Sequence, residues 1–365
     1  MIPAVLVAAI LCGNALAQSP LERAVTLARE RRYAESRQAL EGVPEPSETP
    51  QRIAFHRLRA ANASGLGDYA AAATEMTLAL ELSPDDPVLL TGAAMAEFQA
   101  GRLDDALRHA GKAGKDATAK AVIGDIQERR GDFGAAAAAY RQAVALAPGQ
   151  EPYRVALAYE LIRHQEFRAA AEFLQQAKTA FPRSATLQTL LGIAQYSDGY
   201  TDDAVTSLAA AIATDPKNEA AYRCLAQIVL RSSATPPPEV TAHLCRWNVT
   251  VCSAMKLRIA RERDDVAMRR EAIAGLQRAP PDDPVARCEL ARAWEWADRL
   301  QDARTEMEAC VRSDPSPQNH YRMGRIYKRL GLDDLSHAEM DRRQELLRDS
   351  SEDAVTALGA LKTIR

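Results

Sequence analysis

The feature that most constrains this chain is a turn signal that recurs at a nearly constant step. Short turn signals followed by an alanine begin at Gly67, Gly101, Gly131, Gln165 and Gly199, and these residue numbers increase by 34, 30, 34 and 34 in turn. A fixed period of this length is typical of stacked repeats, in which each unit contacts its neighbours, and not of one large spherical core. The single 30-residue step predicts a deletion near residues 109–120, in a shortened turn between two repeats.

Prolines and alanines follow the same period. Pro148, Pro182 and Pro216 follow one another at steps of 34 residues, and Pro281 and Pro315 are separated by the same step. The chain has 71 alanines but only 6 Phe, 3 Trp and 10 Tyr, and it has no alternating apolar runs of the kind that strands need. Because proline ends one helix and starts another, this pattern predicts short, closely packed helices.

The residue pattern of each repeat predicts two antiparallel helices of about 13 residues, joined by a tight turn. We expect alanine where the two helix axes approach, with one larger side chain between the alanines, as in Ala136, Tyr140 and Ala143. A glycine at the turn allows the positive φ that ends the first helix. The equivalent sets in the next two repeats are Ala170, Leu174 and Ala177, and Ala204, Leu208 and Ala211.

This pattern resembles the tetratricopeptide repeat. One unit carries Leu191-Gly192, Ala204, Leu208, Ala211 and Pro216, and another carries Ile123-Gly124, Ala136, Tyr140, Ala143 and Pro148. The resemblance implies an all-α fold, a right-handed α-solenoid of about ten helix-turn-helix units. The units are expected to start near residues 17, 53, 87, 117, 151, 185, 219, 250, 284 and 317.

The expected organisation has three parts. Residues 1–17 form a signal peptide, 18–349 the solenoid with an irregular unit at 232–283, and 350–365 a C-terminal capping helix. In the irregular unit, Pro236-Pro237-Pro238 interrupts the repeat, and its second helix is expected to restart at Glu239.

The amino terminus indicates export. Residues 2–16 are apolar apart from Asn14, and Ala15-Leu16-Ala17 has the small-x-small pattern of a cleavage site, although no Lys or Arg precedes the apolar run. We therefore expect a bacterial protein of the periplasm, without an integral membrane span after signal removal. A membrane-anchored or a cytoplasmic protein is the alternative.

The cysteines favour disulfides if the protein is exported. Cys245 and Cys252 are seven residues apart across a predicted turn, and Cys288 and Cys310 fall on the two helices of one unit. Cys224 with Cys245 is a competing pair, so the connectivity and the identity of the free cysteine stay open. In a cytosolic protein all five would be small buried residues.

No residue pattern indicates catalysis, a metal or a cofactor. The six histidines are scattered without metal-ligand spacing, and no Cys-x2-Cys pair occurs. Carboxylate pairs such as Asp202-Asp203 open second helices, where they complement the helix dipole. A net charge of -3 gives no overall attraction to nucleic acid, so we expect no nucleic-acid partner.

The resemblance also implies a ligand groove lined by first helices, through their second, fifth, ninth and twelfth positions. In the middle repeats these positions include Tyr159, Ile193 and Tyr196. Arginine binds carboxylates bidentately, so a row of it suits an acidic peptide or a free carboxy terminus. Ordinary solvated cations on long helices are the alternative interpretation. In the carboxy-terminal repeats the groove positions include Arg223, Arg258, Arg261, Arg292, Arg325 and Lys328.

These observations favour a non-enzymatic scaffold that binds an extended or helical peptide, with a protein or acidic peptide as its partner. The lysine and asparagine pattern of the family's chaperone-binding carboxylate clamp is not present, so that activity is not expected. An assembly or regulatory subunit of an envelope complex, for polysaccharide export or outer-membrane assembly, is the alternative. An enzyme is the least favoured class.

Overall fold

The computed structural model describes residues 19–349, so the predicted signal peptide and capping helix lie outside the described residues. All the regular structure in this range is α-helical, in twenty helices. The expected all-α repeat architecture is therefore confirmed. Within the same range, no helix is both long enough and apolar enough to cross a lipid bilayer.

The chain divides into two compact units at the Pro148–Gly149 bond. Each unit consists of consecutive helical hairpins, as the 34-residue period predicts, and most first helices begin at the expected residue. The helices of the first unit are α1 (Pro20–Arg29), α2 (Tyr33–Ala39), α3 (Thr49–Gly65), α4 (Tyr69–Leu82), α5 (Pro87–Gln99), α6 (Leu103–Lys112), α7 (Ala117–Arg130) and α8 (Phe133–Leu146).

The second unit contains six hairpins. Its helices are α9 (Glu151–Arg163), α10 (Phe167–Ala180), α11 (Ala185–Ser197), α12 (Thr201–Thr214), α13 (Glu219–Arg231), α14 (Pro238–Trp247), α15 (Val249–Arg263), α16 (Val266–Gln277), α17 (Pro284–Trp296), α18 (Leu300–Ser313), α19 (Pro317–Arg329) and α20 (Asp333–Asp349).

Small residues lie where the two helices of a hairpin cross. Gly192 of α11 packs so closely on Leu208 of α12 that a Cβ added to the glycine would lie 2.6 Å from the leucine Cγ. Gly124 of α7 packs equally closely on Tyr140 of α8, because an added Cβ would lie 2.5 Å from Cε1 of the tyrosine ring. The predicted alanines of the second helices are all completely buried: Ala136, Ala143, Ala170, Ala177, Ala204 and Ala211.

The turns inside the hairpins follow a common design. Gly131 ends α7 with φ 77°, and the carboxylate of Asp132 then accepts a hydrogen bond from the Ala135 amide at 3.0 Å to cap α8. Gln165 occupies the equivalent turn before α10 with φ 61°, a left-handed conformation that is unusual for a residue with a Cβ. The turn geometry is therefore retained where the glycine is missing.

Two hairpins depart from the pattern. Helix α6 has 10 residues where α4 and α8 have 14, whereas the turns that follow these three helices are equally long, so the expected shortened turn is wrong and the 30-residue step reflects a shortened second helix. The irregular hairpin joins α13 to α14 through residues 232–237, and α14 begins at Pro238, next to the expected Glu239. Proline at the first helical position needs no backbone N–H there, which explains this start.

Candidate functional site

The apolar groove candidates lie in different environments. Tyr159 on α9 and Tyr196 on α11 are partly exposed, whereas Ile193 is only 1% exposed. Helices α9, α10, α12 and α13 all contact α11, which is why the middle of α11 is packed inside the unit. This burial corrects the assignment of Ile193 to the ligand-facing set, because its side chain is not accessible to a ligand.

Two of the predicted cations do not line the two cavities described below and are paired locally. Arg223 on α13 contacts the carboxylate of Glu219 at 2.8 Å, and Lys328 on α19 contacts Asp333 at 2.5 Å. Both pairs are exposed, so each is worth little free energy. They behave as the solvated cations of the alternative interpretation.

The other predicted arginines come together around two adjoining cavities in the second unit. The smaller cavity, of about 140 Å³, has a wall of apolar side chains from α13, α15 and α17, such as Val229, Leu257 and Ala293. The larger cavity, of about 380 Å³, opens beside it. We call their charged lining, together with Trp296, the arginine site: Arg258, Arg261, Glu289, Arg292, Glu295, Trp296, Arg322, Arg325 and Arg329.

The arginine site is strongly cationic because six arginines face only two glutamates. All nine residues lie on first helices of successive hairpins: α15 carries Arg258 and Arg261, α19 carries three arginines, and the rest are on α17. Arg261, Arg292, Trp296 and Arg322 line both cavities, so the two form one continuous surface.

Arg258 differs from the other arginines because its guanidinium is used to hold the irregular hairpin. It donates hydrogen bonds to the carbonyls of Val229 and Ala234, each at 2.8 Å, and to the carbonyl of Ser232. These carbonyls belong to the last turn of α13 and to the first half of the linker that follows. Burial lowers the pKa of Arg258. The expectation that Arg258 is a free groove cation is therefore corrected: it lines the cavity but mainly positions the linker.

Glu289 is bound to Arg292 one turn further along α17, and the pair lies in the smaller cavity. The Glu289 side chain is only 13% exposed. Burial raises the pKa of Glu289, although Arg292 and Arg258 act in the opposite direction. A largely buried carboxylate therefore occupies part of this otherwise cationic cavity.

The rim of the larger cavity holds a more open cluster. Glu295 accepts a hydrogen bond from Arg325 at 3.1 Å and lies 3.6 Å from Arg329, which also contacts Asp298 at 2.6 Å. Arg261 has no carboxylate partner in the described chain, 19–349. The cations at this rim are accessible to an anion from solvent.

Sequence reasoning missed Arg322, Arg329 and Trp296. The two arginines are three and four residues from the predicted Arg325, which places all three on one face of α19. The guanidinium of Arg269 lies 4.6 Å from the centroid of the Trp296 ring, a cation–π contact that helps to fix the ring in the cavity wall. The helical spacing around Arg325 was the available signal for the arginines.

The four cysteines proposed as disulfide partners lie in two bonded pairs. A disulfide between Cys245 and Cys252 joins α14 to α15, and one between Cys288 and Cys310 joins α17 to α18. The Cα–Cα distance is 4.8 Å in both pairs. Cys224 is a free buried thiol, and burial raises its pKa to about 12. The two bonds brace α15 and α17, the helices that carry Arg261 and Arg292.

Consecutive helical hairpins on a 34-residue period, with a shared surface on their first helices, define a helical-repeat protein. The tetratricopeptide repeat family profile matches residues 108–151 and 155–219. The resemblance to the tetratricopeptide repeat is therefore confirmed for these residues. Members of this family generally act as non-catalytic scaffolds for protein interactions.

Solved structures with a similar fold include the C-terminal part of a tetratricopeptide repeat-containing protein from Cytophaga hutchinsonii, with 12% identity and a TM-score of 0.47 over 72% of this chain and 95% of that chain. PilW, a type IV pilus biogenesis factor, has 18% identity and a TM-score of 0.45 over 54% of this chain and 93% of its own. YrrB, a protein with an unusual peptide-binding site, has 18% identity and a TM-score of 0.40 over 51% of this chain and 95% of its own.

These three similarities concern the helical-repeat fold and carry no information about ligands. No curated protein matches the chain significantly.

Proposed function

We propose that this protein is a non-enzymatic interaction scaffold that binds an acidic segment of a partner protein at the arginine site. The observation that carries the proposal is the excess of arginines around a cavity with an apolar wall. Guanidinium groups bind carboxylates through two parallel hydrogen bonds, and the apolar wall offers contact area for neighbouring side chains. Tyr159 and Tyr196 are proposed as apolar anchors further along the segment.

The chemistry of the site favours a carboxylate-rich ligand. Arg325 and Arg329 at the rim share Glu295, whereas Arg261 has no carboxylate partner within residues 19–349, so an acidic segment meets at least one cation that is not already neutralised. Charge-assisted hydrogen bonds contribute about 1.5–3 kcal/mol each when both partners are ordered. Two or three such contacts are sufficient to select an acidic segment over a neutral one of the same length.

The test is the binding of a rhodamine-labelled hexaglutamate peptide to the full-length protein, followed by fluorescence anisotropy at low salt. Hexaglutamine of the same length is the matched neutral peptide. We expect the Arg292→Glu/Arg325→Glu variant to weaken hexaglutamate binding at least tenfold, since each reversal replaces an attraction by a repulsion.

Arg223→Glu is the matched control variant, because Arg223 is an exposed arginine outside the arginine site. It should leave hexaglutamate affinity within about twofold of wild type. Equal binding of the two peptides, or equal loss in both variants, contradicts the proposal. A single-stranded oligonucleotide that binds more tightly than hexaglutamate would instead indicate a nucleic-acid site.

We also propose that the protein is exported and works in the periplasm or on an envelope surface, where it can serve as a subunit of a larger assembly. The apolar segment 2–16 supports export, and the two cystine pairs suit an oxidising compartment. Sequencing of the mature amino terminus tests this: we expect a start at Gln18, and a start at Met1 contradicts cleavage.

A further inference from the structure

Glu289 is the only carboxylate in the described lining of the smaller cavity. Four arginines face it there, from three different first helices: Arg258 and Arg261 from α15, Arg292 from its own helix α17, and Arg322 from α19. Glu289 is bound to Arg292, one of three arginines that line both cavities. Within the smaller cavity, the carboxylate therefore occupies the side of Arg292 that an incoming anion would contact.

Two of the arginines that line the cavity also carry buried donors that Glu289 does not satisfy. Nε of Arg292 and Nη1 of Arg322 are buried and have no hydrogen-bond acceptor in the described chain. An unpaired buried donor costs about 1–3 kcal/mol, and more when it carries charge. One internal carboxylate is thus too few for this set of guanidinium groups, and a second oxyanion would improve their pairing.

We infer that this cavity is an oxyanion subsite for one carboxylate of the acidic ligand, and that Glu289 is an internal competitor which gives up Arg292 to the ligand as it takes up a proton. The inference rests on the function proposed above and deepens it. In the exchange, the hydrogen bond between Arg292 and Glu289 breaks and one from Arg292 to the ligand oxygen forms. The proton comes from solvent and binds to a carboxylate oxygen of Glu289.

The direction of the pH effect follows from the charges. A ligand anion beside Glu289 raises the pKa of Glu289 further, because two like charges oppose each other in a buried site. Between the pKa of the free site and that of the bound site, binding takes up one proton. Affinity then increases as the pH falls, by at most about tenfold per pH unit.

No other group in the described lining of the smaller cavity supplies this pH dependence. The remaining charged residues that line the smaller cavity are arginines, which stay protonated. From α13 the lining contains the apolar Val229 and Leu230. Towards α18, Arg287 of α17 is paired with Glu306 at 2.8 Å, and neither belongs to the cavity lining.

The experiment needs a ligand whose own charge is constant. A rhodamine-labelled hexapeptide of cysteic acid meets this need, because its sulfonates stay ionised between pH 5 and 8 while they keep the oxyanion chemistry of a carboxylate. Its affinity for the full-length protein is measured by anisotropy across this range at constant ionic strength. For wild type we expect a three- to tenfold increase in affinity as the pH falls through the transition.

Two glutamine variants on helix α17 separate the effect of Glu289 on the pH dependence from the effect of any acidic residue in the arginine site. Glu289→Gln should bind the probe more tightly than wild type at pH 8 and lose most of the pH dependence. Glu295→Gln is the matched control, since Glu295 also contacts arginines of the site but lies in the larger cavity. It should strengthen binding while the pH dependence of wild type is retained.

The outcomes distinguish the two proposals. If wild type binds neither the probe nor hexaglutamate, the proposed function fails. If wild type binds but Glu289→Gln shows the same pH dependence, the competitor role of Glu289 is refuted and the proposed function stands. Weaker binding by a folded Glu289→Gln variant, with wild-type circular dichroism, also refutes it, because Glu289 would then be holding Arg292 in its binding position.

Discussion

Replacement of Gly192 by alanine tests the close approach of paired helices on which the fold depends. The added Cβ would lie 2.6 Å from Cγ and 3.0 Å from Cδ2 of Leu208, and 3.2 Å from the carbonyl oxygen of Ala204. Leu208 is completely buried, so its side chain has no open space to enter. Because Ala204 contributes a backbone atom, helix α12 itself would have to shift.

Two effects of opposite sign decide the result. Alanine is about 1 kcal/mol more favourable than glycine inside a helix, which stabilises the variant. Overpacking of a tight interface costs about 1–3 kcal/mol, and contacts below 3.0 Å with a branched carbon favour the upper part of that range. We therefore expect Gly192→Ala to lower the free energy of unfolding by about 1–2 kcal/mol.

Urea unfolding followed by helical circular dichroism measures this change, with Gly111→Ala as the control. Gly111 lies in α6, and a Cβ there would meet no atom within 4 Å, so its replacement should stabilise the protein by about 0.5–1 kcal/mol. Repeating Gly192→Ala in a Leu208→Ala background should remove most of its cost. A Gly192→Ala variant as stable as wild type, or one with an unchanged cost in the Leu208→Ala background, would refute the packing argument.

Three further perturbations have defined outcomes. Tyr140→Phe removes a hydroxyl that donates a hydrogen bond to Asp125 at 2.6 Å, and should lower the free energy of unfolding in urea by about 1–2 kcal/mol. No change would show that this hydrogen bond is energetically neutral. The Cys288→Ala/Cys310→Ala variant removes a disulfide between residues 22 apart, and its free energy of unfolding should be about 3 kcal/mol lower than that of oxidised wild type. It should differ little from that of reduced wild type. A variant as stable as the oxidised protein contradicts this prediction. Cys224 is buried and its pKa is raised to about 12, so the thiol should not react with iodoacetamide at pH 8 until the protein is unfolded. Peptide mapping measures the labelling. Rapid labelling of Cys224 in the native protein contradicts its burial.

The repeat spacing predicted the proposed binding surface only in part. It placed Arg292 and Arg325 on first helices, and the structure brings them to one pair of cavities. It could not show that Arg258 is used by the α13–α14 linker, because the contacted residues Ser232 and Ala234 lie 26 and 24 residues away along the chain. Nor could it show that Ile193 is enclosed by four neighbouring helices.

The sequence by itself determined the helical hairpins and their boundaries. A proline, a glycine turn or a pair of alanines acts within one repeat, and these local effects recur at a fixed step, so they can be recognised without a structure. The tertiary structure decided which side chains of different repeats meet. The arginine site combines residues from α15, α17 and α19, which belong to three successive repeats, and their pairing and burial depend on how those helices pack side by side. The burial of Glu289 among these arginines is therefore a property of the packed repeats and not of any one of them.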